Sequence, residues 1–191
     1  PELGSLGALF PRATKEGTIN VPGSSPALIA VGATLNRTSW IDRAGKLVSV
    51  GAFGSVDSPR PDSMAYFSSA GPTQNGWMKP DIVAPGAFVV GAMSNLADPS
   101  NGATGGLFSN QGLCRNDPGC LVVDDFHAVS SGTSMSAPIV SGAVALLLAQ
   151  DPTLTQDQIR ALLQAGAHRL QGAVPVEEQQ GGLLEAAAFG E

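Results

Sequence analysis

The 191-residue chain has few aromatic and charged residues, and only two cysteines and two histidines. Aromatic residues make up 5% of the chain and charged residues 14%. The net charge of −6 comes without a cluster of Lys or Arg, so the protein would repel a phosphate backbone or an anionic membrane surface. The longest apolar run, at 142–149, is far shorter than the roughly 20 residues that span a bilayer. We therefore expect neither a nucleic-acid partner nor a membrane span.

The composition nevertheless supports a folded domain. Hydrophobic residues account for 43% of the chain, which is enough to build a core. The 24 Gly and 14 Pro show no collagen period, so they predict frequent turns and argue against a long helical bundle. Position 1 is Pro, and the residues after it lack the basic and apolar regions of a signal peptide. We expect this start to be a processed end.

Short runs of branched apolar residues between Pro and Gly turns are typical of strands that are buried on both faces of a parallel sheet. Such runs occur at 28–31, 46–50, 81–84, 88–90 and 121–123. The more polar stretch 39–63 is interpreted as a surface excursion. A second irregular stretch, 95–117, is rich in Gly, Asn, Asp and Ser. Loops of this length often carry function.

Helices are predicted in the last third of the chain. Residues 141–150 are apolar around nearly the whole circumference, which is typical of a helix buried in a core. Thr155 and Gln158 match a capping box, and the apolar period that follows predicts an amphipathic helix ending near Gly166. A last short helix is expected at 183–188. Strands and helices together predict an α/β fold, with a mainly parallel sheet flanked by helices.

A run of small hydroxyl residues, 130–138, leads directly into the apolar helix. Ser and Thr are preferred helix N-caps, so the run fits a simple capping cluster. A helix start also presents unpaired N–H groups and the positive end of the helix dipole, which can stabilise an oxyanion beside a serine. Because Gly132 and Ser134 are followed by Ser136 instead of Gly, the Gly-x-Ser-x-Gly elbow of the α/β-hydrolases is excluded. The local pattern leaves both the cap and the nucleophile open.

A longer motif begins in this run. Residues 132–142 read Gly-Thr-Ser-Met-Ser-Ala-Pro-Ile-Val-Ser-Gly and resemble the nucleophile motif of the subtilisin-like serine proteases. Two further blocks resemble this family and stand in the family's order, at 25–34 and at 67–86. The resemblance extends from about residue 20 to residue 188. It implies that residues 1–191 form the C-terminal part of a subtilisin-like α/β domain and not an independent domain.

The resemblance also implies roles for individual residues. Ser134 matches the nucleophile, and its backbone N–H would be one oxyanion donor. Thr133 would help to line the site, Met135 would pack behind it, and Ser136 is a neighbour and not a nucleophile. The family's catalytic Asp and His, and the Asn that completes its oxyanion hole, belong to upstream motifs that this chain lacks; Asn20 lies too close to the following turn to replace that Asn.

We assign no second catalytic or metal site to the two histidines or to the acidic pair at 124 and 125. His127 and His168 are interpreted as structural, because neither stands where the family places its base. Asp124 and Asp125 are interpreted as part of a solvated loop, although calcium binds such loops in many relatives. We expect no cofactor for the chemistry; structural calcium is left open, since no metal ligands can be assigned.

The two cysteines enclose a turn sequence. We expect Cys114 and Cys120 to form a disulfide, because two Cys without an adjoining His make a poor zinc site and the resemblance implies a secreted or extracellular protease. The alternative is two free, buried thiols. Asn36, Arg37 and Thr38 match a glycosylation sequon, a pattern that is common by chance.

The resemblance implies a serine endopeptidase that hydrolyses protein or peptide substrates through an acyl-enzyme on Ser134. The His, Asp and oxyanion Asn would come from an N-terminal segment or a separate N-terminal chain. We expect Pro1 to be a cleavage product, the enzyme to be a processed two-chain protease, and this chain alone to be inactive. The alternative is a subtilisin-like binding or scaffold module without catalysis, a pseudoprotease.

Overall fold

A computed structural model describes residues 15–54, 56–102, 107–109, 113–114, 117, 119–168 and 170. The strands in these ranges are β1 (Val31–Leu35), β2 (Ser39–Ile41), β3 (Leu47–Ser49), β4 (Ala52–Phe53), β5 (Val56–Asp57), β6 (Ile82–Ala87), β7 (Val89–Ala92) and β8 (His127–Ser130). The α-helices are α1 (Thr133–Gln150) and α2 (Gln156–Ala165), and short 3-10 helices span Asn95–Ala97 and Pro99–Asn101. The helix expected at 183–188 lies outside the described residues.

The centre of the fold is the parallel pair β1 and β6. Val31 pairs with Ile82, and the register runs on to Leu35 and Ala87 with one irregularity after Thr34. Helix α1 packs against both strands. The side chains shared between these layers form an apolar core: Ile82, Ala84, Val140, Ala143, Leu147, Ile159 and Leu163. The predicted α/β class, with parallel strands flanked by helices, is confirmed; the pairs β2–β3, β4–β5 and β7–β8 are antiparallel.

Strand β1 begins three residues later than the apolar run at 28–31 predicts. Side chains explain the difference, because they occupy backbone groups before Val31. The Lys79 ammonium donates to the Leu28 carbonyl (2.7 Å), and the Asp81 carboxylate accepts from the Ala30 N–H (2.7 Å). Lys79 and Asp81 are themselves a buried ion pair at 2.6 Å. Regular strand pairing therefore starts only at Val31.

Part of the stretch 39–63, interpreted above as a surface excursion, belongs to a second core. Trp40 and Val50 are buried there with Phe88 and both cysteines. The Trp40 indole N–H donates to the Cys120 carbonyl at 2.7 Å, across 80 residues of sequence. The surface interpretation of these two side chains was wrong, since Trp40 on β2 and Val50, the residue after β3, both face the core.

Helix α1 is buried on one side only, which corrects the prediction of burial all around. Ser136, Val140, Ala143 and Leu147 are buried, whereas Leu146 on the other side is 57% exposed. Only 22% of the helix is buried. The 18-residue helix, with a mean hydropathy of 1.4, is by length and composition long and apolar enough to cross a membrane. Core helices of soluble proteins meet the same criterion, so this is weak evidence for a span.

The capping box of α2 is confirmed. The Thr155 hydroxyl accepts from the Gln158 backbone N–H, and the Gln158 side chain accepts from the Thr155 backbone N–H at 2.8 Å. Ile159 and Leu163 face the core. Arg160 on the same helix donates to the Pro26 carbonyl at 2.9 Å. Helix α2 therefore fixes the segment that leads into β1.

Candidate active site

A tight turn joins β8 to α1 and carries the candidate nucleophile. Strand β8 ends at Ser130 and α1 begins at Thr133, so only two residues make the connection. Gly132 has φ 154° and ψ 157°, a region that is essentially restricted to glycine. Its carbonyl accepts the Met135 N–H at 2.9 Å and so closes the first turn of the helix. A side chain at position 132 would strain this geometry.

Ser134 is the second residue of α1, and it is exposed. Its amide is among the four N–H groups at a helix start that have no acceptor within the helix. In the part of the chain that the structure describes, neither this N–H nor the Ser134 hydroxyl has a hydrogen-bond partner. Thr133 beside it is also exposed. The site therefore presents a free hydroxyl next to a free backbone donor at the positive end of an 18-residue helix.

Gly86 of β6 is hydrogen-bonded to this turn and packs against it. The Gly86 carbonyl accepts the Gly132 N–H at 2.8 Å. A Cβ at position 86 would overlap the Ser136 hydroxyl and would lie 2.6 Å from the Ala33 Cβ. Only glycine lets the strand approach α1 this closely. In the sequence, Gly86 follows Pro85, and a Pro-Gly dipeptide is typical of an ordinary turn, so this packing role could not be predicted from the sequence.

The neighbours of Ser134 point in different directions. The Met135 methyl lies 3.2 Å from where a Cβ on Gly91 would stand, so Met135 packs over β7 behind the nucleophile. Ser136 is fully buried, and its hydroxyl has no hydrogen-bond partner among the residues that the structure describes. Pro138 is the sixth residue of α1 and cannot donate to the Ser134 carbonyl one turn earlier. Ser136 is thus enclosed in the core, whereas Ser134 faces solvent.

Within the described part of the chain, neither histidine is hydrogen-bonded to Ser134. His127 lies at the start of β8, at the opposite end of this strand from the turn that carries Ser134, and its Nδ1 lies 2.8 Å from the Asp124 carboxylate. The Phe126 backbone N–H, together with His127, lowers the pKa of Asp124 below its ordinary value. His168 is exposed and follows α2. No hydrogen bond joins either ring to Ser134 in the described residues.

The acidic residues Asp98 and Asp125 near β8 form ion pairs within the protein. Arg43 pairs with the buried Asp98 at 2.6 Å and with Asp125 at 3.4 Å. The Arg43 guanidinium, aided by hydrogen bonds from Ser100, lowers the pKa of Asp98 from 3.8 to about 2. Among the described residues, no group of three or more His, Cys, Asp or Glu side chains is arranged to hold a metal ion.

Cys114 and Cys120 form a disulfide in the structure, with a Cα–Cα distance of 5.7 Å. Both are buried in the core cluster that contains Trp40 and Phe88. Residues 115, 116 and 118, between the two cysteines, lie outside the described residues. The disulfide loop is therefore anchored to the core that packs against the end of β6.

Comparisons with known proteins identify relatives of this chain. The chain is 35% identical over 126 residues to the serine protease AprX of Bacillus subtilis (strain 168), covering 65% of this chain and 25% of AprX. It is 29% identical over 165 residues to the subtilisin-like protease SBT1.7 of Arabidopsis thaliana, covering 78% of this chain and 20% of that protein. The chain thus spans about a quarter of the length of these two relatives.

A solved structure supports the same fold. The CspB protease of Clostridium perfringens superposes with a TM-score of 0.53 at 21% identity, over 91% of this chain and 28% of that one. The model of the subtilase family matches residues 5–183. Since this match covers nearly the whole sequence and includes the turn around Ser134, the chain belongs to the subtilase family.

Proposed function

We propose that this chain supplies the nucleophile of a serine endopeptidase. The Ser134 hydroxyl attacks the scissile carbonyl of a protein or peptide, forms an acyl-enzyme as the amine leaves, and is regenerated by water. The observation that carries the proposal is the exposed Ser134 hydroxyl beside its own unpaired N–H at the start of α1. A capping serine would instead bind a backbone donor of the helix, and among the described residues the Ser134 hydroxyl binds none.

The backbone of the same residue supplies part of the oxyanion hole. The Ser134 N–H points out of a helix start, where the dipole favours the negative oxygen of the tetrahedral intermediate. Removing one such donor typically costs about 100- to 1000-fold in rate. The second donor would be the Asn side chain that the family resemblance implies. The turn fixed by Gly132 and Gly86 keeps the backbone donor in place before substrate binds.

The general base and its orienting Asp would come from an N-terminal segment or chain of the same protease. Two observations support this. His127 binds Asp124 at the end of β8 that is far from Ser134. Among the described residues, none accepts a hydrogen bond from the Ser134 hydroxyl. The outer side of α1 is apolar and uncovered, with Leu146 57% exposed. A helix of this composition is stabilised when a further protein layer covers it.

Secretion or another extracellular location fits the same proposal. The disulfide between Cys114 and Cys120 persists in oxidising compartments and is rare in the cytosol. No metal or organic cofactor takes part in the proposed chemistry. The substrate is an extended protein or peptide chain.

The decisive experiment labels the complete protease with a fluorophosphonate probe. We expect the probe to attach to Ser134 and Ser134→Ala to abolish labelling and turnover, because removing a triad member costs several orders of magnitude. Ser136→Ala is the matched control: it deletes an equivalent hydroxyl two residues away, which is buried, and it should keep most of the activity. Equal loss from both changes would refute the assignment. A complete protein that takes no label would favour the scaffold module.

A second measurement addresses the source of the base. The 191-residue chain alone should take no label and hydrolyse no peptide, because a serine hydroxyl without a base is a weak nucleophile. Adding the upstream segment should restore labelling. An isolated chain that is folded, labelled and active would show that its own histidines suffice.

A further inference from the structure

One side-chain hydrogen bond ties the end of β6 to the turn that carries Ser134. The Phe88 backbone N–H donates to the Ser131 hydroxyl at 2.9 Å. Close by, the N–H of Gly132, the residue after Ser131, donates to the carbonyl of Gly86, two residues before Phe88, at 2.8 Å. The turn is therefore held at two points. Of these two hydrogen bonds, the one to the Ser131 hydroxyl can be removed by replacing a side chain.

The donor at Phe88 is itself firmly held. Phe88 has φ 55°, a left-handed conformation that is uncommon for a bulky residue and persists only where the surroundings impose it. Its ring is buried and lies against Trp40, with centroids 5.5 Å apart, and against Phe53 at 4.9 Å. The backbone N–H thus projects from a fixed point of the core. The Ser131 hydroxyl, which accepts from this N–H, is therefore also held in a fixed position.

Ser131 has little other reason to be a serine. It is exposed, so its side chain does not fill the core. It does not cap the helix either, since the N-cap position is Gly132 and α1 has no side-chain cap. Among the described residues, the one hydrogen-bond partner of its hydroxyl is the Phe88 N–H.

We infer that Ser131 is a positioning residue that fixes the nucleophile turn, and through it Ser134, by accepting the Phe88 N–H. The inference rests on the proposed protease function of Ser134. Attack on a carbonyl requires the nucleophile and its base to be aligned, and a displacement of 1 Å can cost about 100-fold in rate. Substrate binding does not depend on this alignment to the same degree. The loss of the Ser131 hydroxyl should therefore lower kcat and leave KM nearly unchanged.

The test uses two pairs of variants in the complete protease. Ser131→Ala removes the acceptor, and Ser131→Thr keeps it; Ser131→Val has nearly the shape of threonine without the hydroxyl. We expect kcat and the rate of fluorophosphonate labelling to fall about tenfold or more in the Ala and Val variants, with KM within about twofold, and to recover in the Thr variant. If the Ala variant does not fold, the Thr and Val pair decides.

Two controls separate positioning from general loss of stability. Ser130→Ala deletes the neighbouring hydroxyl, which makes no hydrogen bond within the described residues, and should keep kcat. Thr155→Ala destabilises the distant start of α2 and should lower the melting temperature without lowering kcat. An unchanged kcat in the Ala and Val variants, a change in KM alone, or no recovery with Thr would overturn the inference. If the unmutated protease takes no label, the proposed function has failed, and the inference falls with it.

Discussion

Replacing Gly86 with alanine tests how closely β6 must approach the start of α1. The added Cβ would overlap the Ser136 hydroxyl and would stand 3.1 Å from the Gly132 carbonyl oxygen. It would lie 2.6 Å from the Ala33 Cβ, about 0.8 Å inside the 3.4 Å at which ordinary van der Waals contact begins. Backbone and Cβ atoms cannot rotate away, so β6 must shift relative to Ala33 on β1 and to the Gly132 turn at the start of α1.

The shift has two measurable consequences. Overpacking of this kind destabilises a core by about 1–3 kcal/mol, which urea unfolding of the complete protease detects. It also moves the Gly132 turn relative to β6 and thereby displaces Ser134. With a shift approaching 1 Å, we expect kcat to fall between about tenfold and 100-fold, measured with a chromogenic peptide.

Gly51→Ala is the matched control, because a Cβ there has no atom within 4 Å. Its stability and kcat should stay close to those of the unmutated protease. In the double variant Gly86→Ala with Ser136→Ala, the overlap with the hydroxyl disappears while the Ala33 contact remains, so part of the loss should be recovered. If Gly86→Ala behaves like Gly51→Ala, the close approach does not constrain the site, and the packing argument is refuted.

Two further predictions concern the loops, and both are measured by urea unfolding in the inactive Ser134→Ala background, which prevents self-digestion. Because Arg43 holds the pKa of Asp98 at about 2, below its ordinary 3.8, this carboxylate contributes stability above about pH 4 that is lost as the pH falls towards 2. Asp98→Asn should therefore show a smaller decrease in stability between pH 4 and pH 2, and an unchanged decrease would contradict the role of the pair. Non-reducing peptide mapping should recover Cys114 and Cys120 in one linked peptide, and replacing both with Ser should cost about 2 kcal/mol for so short a loop. Alkylation of both cysteines without a reductant would exclude the disulfide.

Several features of the fold could be predicted from neighbouring residues alone. The capping box at Thr155 and the helix start at Thr133 depend on contacts three or four positions apart, which sequence shows directly. The branched run at 81–84 marked β6 because its side chains are buried on both faces. The motif around Ser134 located the nucleophile turn.

The sequence by itself thus determined the class of fold, the helices α1 and α2, and the choice of Ser134 as the candidate nucleophile. Tertiary structure decided what lies around that serine, because those contacts join residues far apart in the chain. Ser131 meets Phe88 across 43 positions, and Trp40 reaches Cys120 across 80. A hydroxyl, a tryptophan or a glycine such as Gly86 carries no local sign of its distant partner. The packing of β6 against the start of α1 places Gly86 and Ser131 beside Ser134.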